Sequence, residues 1–311
     1  MTAHPTFSII VVTKNNSGLL TKSIAAITRQ SEKTKTPIEI IVIDSSPNEQ
    51  LTRRLTLTAK HSSIHHVRFR KHGISLARNY GISIAKGRYI CFIDDDTIIN
   101  NQWLRILCSA TVNHPSCIIF GQILPTFEKK VSEYALSSIE EVTPWIFTSV
   151  KASNPKSIWP YAVNVCIPRQ IFKTHGAFSE LFANEEGPVK HPYGEDPEFF
   201  SRVLTQGAKI KFEPNLICYH HLKSDRLSLP YLFSRYIDDG KNSVLGFIHE
   251  THRIHPLHIA RFILRDLHTA ITQNKWTNLY THLYTVTRLF GECLMCVYLI
   301  RYHSYYLTRV K

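Results

Sequence analysis

The apolar positions in the first part of the chain fall into short β-branched runs that alternate with stretches of helical period. Phe7-Ser-Ile-Ile-Val-Val-Thr13 predicts a strand, Lys14-Asn15-Asn16 ends it, and Ser17 caps a helical pattern with Leu20, Ile24 and Ile27 on one face. A second run, Ile38 to Ile43, stops at Asp44-Ser45-Ser46-Pro47, and a helix-compatible stretch follows to about Ala59. The alternation continues with a strand at Val67 to Arg70, a helix at Gly73 to Lys86, a strand at Arg88 to Ile93, a helix at Gln102 to Val112 and a strand at Ile118 to Ile123. Strands apolar on both faces and separated by helices predict a mostly parallel sheet covered on both sides. Ligands of such a sheet sit at the carboxyl ends of its strands.

Beyond Ile123 the pattern loosens. Pro144, Pro155 and Pro160 among Trp145, Trp159 and Tyr161 read as loops forming a pocket wall. A strand at Ala162 to Ile167, a helix at about Pro197 to Gln206 and strands at Lys209 to Phe212 and Leu216 to Tyr219 follow. After His221 helical period dominates: Ala260, Ile263, Leu264, Leu267 and Ile271 make one apolar face, and Leu279, Leu283, Val286, Phe290, Cys293 and Val297 another. The expected organisation is an α/β domain over residues 1–221 and a basic amphipathic tail over 222–311.

Length and composition agree with this division: 311 residues, 43% of them hydrophobic, supply one large core and an appendage. Lys and Arg number 37 against 24 Asp and Glu, a net charge of +13 that favours an anionic partner. Phosphorylated ligand, acidic lipid and nucleic acid all satisfy that charge. Seven cysteines scattered over the chain form no dense disulfide framework and point to a reducing compartment. The run Phe7 to Val12 is too short for a signal peptide, and Cys293 to Ile300, the longest uncharged stretch near the end, falls far short of the roughly 20 residues of a spanning helix. The expected location is cytoplasmic, with the tail docking on the domain, pairing with a second subunit, or lying on the inner face of a membrane.

The sharpest chemical signal is Asp94-Asp95-Asp96, directly after the apolar strand Tyr89 to Ile93. Three carboxylates at a strand's carboxyl end repel one another, and a divalent cation would relieve them. Mg²⁺ or Mn²⁺ takes one or two carboxylates and completes its shell with phosphate oxygens and water, which suits a nucleotide-diphosphate ligand. An acidic turn before the next helix is the plainer alternative. Upstream, Arg78 in Gly73-Ile-Ser-Leu-Ala-Arg-Asn-Tyr-Gly81 can pair with phosphate or orient an aspartate, and Asn79 can bind a ligand or cap a loop.

With the strand and acidic triple behind it, this segment resembles the family 2 inverting glycosyltransferases, whose GT-A domain carries A-R-N-x-G-x-x-x-A-x-G ahead of a hydrophobic strand and D-x-D. The resemblance implies a Rossmann-like GT-A fold, a nucleotide-diphosphate sugar as donor, and a glycan or lipid-linked acceptor. It makes Thr13 and Asn15 part of the opening loop and Asp44 the residue that receives the donor's base or ribose. The family's usual D-x-G-S-x-D is here Asp44-Ser-Ser-Pro-Asn48. By the same resemblance Arg78, Asn79, Asp94 and Asp95 belong to the donor site, Asp94, Asp96 and His220 to the metal, and Asp196 in Tyr193-Gly-Glu-Asp-Pro197 is the general base beside Glu195. Trp159, Tyr161 and Asn164 are the expected acceptor wall. Asp196 before Pro197 is equally a helix cap, Asn15 and Asp44 are turn formers, and His220-His221 reads also as a solvated strand end.

Two other classes compete. A nucleotidyltransferase also uses a carboxylate-held metal beside an α/β sheet, but Thr13-Lys14-Asn15-Asn16-Ser17 poorly matches its Gly-rich basic loop. A nucleic-acid-binding protein would exploit the charge, yet no such motif is present and the acidic triple repels phosphate, so no nucleic acid is expected. His249, His252, His255 and His258 are broken by Pro256, and Cys293 and Cys296 lack the second pair of a zinc site.

Overall fold

Alternating apolar residues in the first strands feed two cores, one on each face of a single sheet. The computed structural model describes residues 5–15, 17–47, 64–71, 73–131, 159–180, 194–251, 256–272 and 279–301. In chain order the first elements are β1 (Phe7–Thr13), α1 (Ser17–Thr34), β2 (Ile38–Asp44), β3 (Ile64–Arg68), α2 (Ile74–Ile84), β4 (Tyr89–Ile93), β5 (Thr97–Ile99) and α3 (Trp103–Asn113). They are followed by β6 (Cys117–Phe127), β7 (Asn164–Pro168), α4 (Arg169–His175), α5 (Glu195–Thr205) and β8 (Lys209–Leu222). The sheet order is β3-β2-β1-β4-β7-β6-β8-β5.

On one face Ile9, Val11, Ile40, Val42, Cys91 and Ile93 pack with Leu20, Ile24 and Ile27 of α1 and with Trp103, Leu104 and Leu107 of α3. On the other, Ile10, Ile41, Ile43, Ile90 and Phe92 meet Ala77 of α2, Ile171 and Phe172 of α4, and Phe199, Phe200 and Val203 of α5. Burying each of the larger side chains stabilises the fold by roughly 1.5–3 kcal/mol, so the two-sided pattern is what holds the sheet central.

The GT-A type α/β fold is the one expected, with local differences. β3, β2, β1 and β4 run parallel, as the alternation predicts. β7 is antiparallel to β4 and β6, and β5 is antiparallel to β8. The two strands expected at Lys209 to Phe212 and Leu216 to Tyr219 are one strand, β8, parallel to β6. Its register steps from Gly121↔Glu213 to Gln122↔Ile217, so Pro214, Asn215 and Leu216 bulge out and the proline needs no ladder partner. β5, three residues long, and α4, seven residues long, are too short to show a period. The helix expected to about Ala59, and Trp145, His252 and His255, lie outside the described residues.

The described residues form two compact units, one made of 5–127, 159–178 and 196–222 and the other of 128–131, 179–180, 194–195 and the described residues from Lys223 onward. The second consists of α6 (Leu229–Thr251), α7 (Pro256–Thr272) and α8 (Leu279–Arg301). A Cβ on Gly240 would lie 1.8 Å from the carbonyl oxygen of Arg288, and one on Gly291 2.0 Å from that of Ile237, so α6 and α8 touch backbone to backbone. Beside this crossing Arg288 pairs with Asp266 and, at 2.7 Å, with Glu292. Burial pushes the Asp239 carboxyl up to about 8 against the partial offset of Arg288, and its Oδ2 has no hydrogen-bond partner among the described residues.

A folded pKa above the ordinary 3.8 means that the native state binds more protons between about pH 4 and 8, so stability falls as pH rises through that window. Asp239→Asn should raise the stability of the protein at pH 8 by about 1 kcal/mol or more and flatten this slope, while changing little at pH 4. Thermal unfolding at both pH values checks it; Glu292, also raised to about 8 by burial, and Asp196, raised as well, contribute to the slope that remains.

Candidate active site

Three parallel strands end side by side and set the floor of the site. Thr13 of β1 is the register partner of Asp44 of β2, and β4, on the other side of β1, leads into Asp94-Asp95-Asp96. The next turn of chain is tied across the strands: Ser45 N–H donates to the Thr13 carbonyl at 2.9 Å, and Asn15 N–H to Ser46 Oγ at 2.9 Å. Asn15 has φ 64°, a left-handed conformation that asparagine tolerates.

The three aspartates have separate surroundings. Asp95 Oδ2 accepts from the buried Thr13 hydroxyl at 2.6 Å. Asp94 Oδ1 lies 3.5 Å from Arg78 Nη2, and Asp96 Oδ1 lies 3.2 Å from His220 Nε2. β8 delivers that histidine: His220 is opposite Thr97 of β5, and the His221 N–H donates to the Asp96 carbonyl at 2.8 Å. Asp94, Asp96 and His220 each offer one ligand atom, and these atoms lie within 4.8 Å of one another. Two carboxylates and an imidazole are a donor set that fits Mn²⁺, or Mg²⁺ with water completing the shell. His220 Nδ1 is buried with no hydrogen-bond partner among the described residues.

Arg78, on α2 and 3% exposed, is the centre of the site's charge. Its Nη1 donates to Asp196 Oδ1 at 2.8 Å, while its guanidinium lies over the rings of Phe178 at 5.5 Å and Phe92 at 5.9 Å. Asp196 Oδ2 accepts from the Ala162 N–H at 2.8 Å. Burial raises the Asp196 carboxyl above its ordinary value; Arg78 and the Ala162 bond draw it down and Asp94 pushes it up again. Tyr161 is pushed up to about 12 by burial and by the Asp196 charge, so its hydroxyl stays protonated. Glu195 is buried in the helical unit, where its charge acts on Arg235 of α6.

Four of the residues singled out in the sequence have well-defined partners within the protein. Of the two roles open to Arg78, the structure gives it the orientation of carboxylates, since its guanidinium is buried between Asp94 and Asp196. Asn79 spends both ends of its amide on the backbone of Phe178, at 2.9 and 3.0 Å, and so braces a loop. Asn164 is no wall residue but a core bracket: it accepts from Trp103 Nε1 at 2.9 Å and donates to the carbonyls of Leu216 and Gln122 at 2.7 and 3.0 Å. Asp44 is fully buried; its Oδ1 accepts from the Ser46 N–H at 2.8 Å, and its Oδ2 meets Arg68 at 3.0 Å and His66 at 3.1 Å. Burial pushes that carboxyl up, but Ser46, His66 and Arg68 outweigh it and hold it below the ordinary range.

His66 and Arg68 were not anticipated. They are neighbours of Asp44 only because β3 pairs in parallel with β2, placing Arg68 opposite Asp44. The alternation in Ile64-His-His-Val-Arg68 was the available signal, and it needed the strand order to be read.

The glycosyl transferase family 2 profile matches residues 8–175, more than half of the chain, and the chain belongs to that family. It is 26% identical over 240 residues to the hyaluronan synthase of Pasteurella multocida, a match that covers 70% of this chain and 24% of that protein. The chain thus spans about a quarter of that curated relative's length. In fold it is similar to Staphylococcus aureus TarS 1–349 in complex with UDP-GlcNAc, with a TM-score of 0.55 at 17% identity over 78% of this chain and 66% of that one. It is also similar to GalNAc-T7 with UDP, GalNAc and Mn²⁺, with a TM-score of 0.52 at 16% identity over 76% and 48%.

Arg78→Gln should raise the Asp196 carboxyl further, because it removes the charge that opposes burial while leaving Asp94 nearby. Carboxyl ¹³C titration of the two proteins checks this, with a midpoint at higher pH expected in the variant; an unchanged midpoint would mean that Arg78 does not govern that charge.

Proposed function

We propose that this protein transfers a sugar from a nucleotide-diphosphate donor to an acceptor hydroxyl with inversion, in the synthesis of a cell-surface polysaccharide or glycolipid. The observation that carries the reading is the buried Arg78 joining Asp94, at the end of β4, to Asp196, at the start of α5. One guanidinium thereby links the end of the sheet suited to a diphosphate to a carboxylate suited to an acceptor.

In this reading Thr13, Asn15 and the Asp44-Ser46 turn frame the nucleoside, with Arg68 and His66 fixing Asp44. Asp94, Asp96 and His220 would hold Mn²⁺ or Mg²⁺, which when bound supplies neutralisation of the leaving diphosphate. Asp95, anchored by Thr13, keeps the acidic turn in place. Asp196 receives the proton of the acceptor hydroxyl: Ala162 and Arg78 aim its two oxygens, and its raised pKa makes it a better acceptor of that proton than an ordinary aspartate. Glu195, next to it and facing the charge of Arg235, orients the acceptor. Support comes from the family membership and from the UDP-GlcNAc and Mn²⁺ complexes of proteins with the same fold.

The helical unit we assign to the surface of an acidic membrane, next to a lipid-linked acceptor. No helix among the described residues is long and apolar enough to cross a membrane. Val286, Phe290, Leu294 and Val297 nevertheless make an exposed apolar stripe along α8, and Leu257 and Leu264 are exposed on α7 together with Arg261 and Arg265. Such a mixture suits the headgroup layer, where each basic residue contributes roughly 1 kcal/mol.

Screening UDP-, GDP- and dTDP-sugars by calorimetry should find a donor whose binding collapses in chelator and in Asp96→Ala. Asp196→Asn keeps the capping oxygen, and should retain donor affinity while donor turnover falls by roughly 10²-fold or more. Equal binding in all three samples removes the metal role, and normal turnover in Asp196→Asn reassigns the base. For the helical unit, full-length protein should sediment with phosphatidylglycerol vesicles, and Phe290→Asp/Val297→Asp should not. If the wild type ignores the vesicles and forms dimers that the double variant abolishes, the stripe is instead an interface between copies.

A further inference from the structure

At the other end of the sheet, below the amino ends of β1 and β4, lies a cavity of about 670 Å³ lined by Thr6, Lys86, Arg88, Tyr89, Thr111 and Arg169 among others. Three of its lining side chains are cations, and none is a carboxylate. The carboxylate tied to the same turn, Glu39, is otherwise engaged. Its Oε1 accepts from the N–H groups of Lys86 and Gly87 and from the Ser8 hydroxyl, and its Oε2 lies 3.8 Å from His65.

The cations are brought together by the sheet. Tyr89 pairs with Pro168 in the antiparallel β4–β7 ladder, so the next positions outward, Arg88 and Arg169, are opposite each other, and the Arg169 N–H donates to the Arg88 carbonyl at 3.0 Å. Like charges directly opposite across an antiparallel pair repel. Arg88 lies over the Tyr89 ring at 5.4 Å, which leaves the fork of Arg169 to be answered. Its Nε and Nη2 are both shielded from solvent and have no hydrogen-bond partner among the described residues. A guanidinium in that condition carries a charge the protein does not offset, and an anion in the adjoining cavity would stabilise it.

We propose that this cavity is a phosphate-binding site, in which the converging charges of Arg169, Arg88 and Lys86 neutralise the anion. Phosphate is the class that matches three cations around one cavity. β4 is five residues long, so at about 3.3 Å per residue the site lies roughly 15 Å from the acidic turn at the strand's other end. It is therefore separate from any diphosphate held there, and its occupancy does not depend on the transfer reaction assigned above.

The test is to titrate inorganic phosphate into the full-length protein in chelator, where the acidic turn holds no metal and disfavours anions, and to follow ³¹P line broadening. Wild type should bind saturably, and Arg88→Gln/Arg169→Gln should bind at least about tenfold more weakly with an unchanged circular dichroism spectrum. Should that variant fail to fold, Lys86→Gln/Arg88→Gln, both at exposed positions, takes its place with the same expectation. Monomeric short-chain phosphatidylglycerol, with phosphatidylcholine as control, distinguishes the sources. Competition by the former alone identifies a lipid headgroup, and no competition by either identifies a free phosphate. Equal broadening in wild type and a folded variant, or no broadening in wild type, overturns the proposal.

Discussion

A guanidinium taken out of water is tolerated only where carboxylates and geometry answer it, and Arg78 imposes that condition on the α/β unit. Its two acidic partners come from the end of a strand and the start of a helix that are distant in sequence. α2, β4 and α5 must therefore pack in one arrangement for the charge to be satisfied. The Phe92 and Phe178 rings beneath it keep the space dry, 5.4 Å from each other, and Phe199 backs Phe178 at 4.7 Å. Asn79, one residue along α2, fixes the backbone of Phe178 and so the ring that faces the cation.

The acidic turn illustrates a second economy. Three consecutive aspartates would repel one another if they shared one environment, but each is directed to a different neighbour: Arg78, Thr13 and His220. The repulsion is thereby divided, and two of the three remain near enough to His220 to act as one ligand group. What the turn contributes is direction as much as charge.

Much of this was legible in the sequence, and the reasons are local. β1, β2 and β4 are apolar on both faces, and Asp44 and Asp94 to Asp96 stand directly after them, so fold and site floor follow from period and position. Asn79 kept two readings open, and Asn164 was read as facing an acceptor, because a buried amide that braces backbone and one that meets ligand look alike in sequence. His66 and Arg68 depend on which strand lies beside β2, and β5 is too short to carry a period. The bulge in β8 hides behind Pro214, which reads as a break between two strands and is in fact an excursion within one. Glu195 and Arg235 act on each other across forty residues of sequence, a separation at which no pattern of spacing survives.

The course of the chain from Asp196 to His220 ties two distant parts of the α/β unit to one another. α5 carries the first residue, β8 carries the second, and Gly207, at φ 95°, makes the reversal between them. Asp196 and His220, which we assign to the acceptor and to the metal, thus ride on one helix-and-strand arm whose strand is paired with β6. A change that loosened the β6–β8 pairing would therefore be felt at His220 and, through the turn at Gly207, at the helix that carries Asp196.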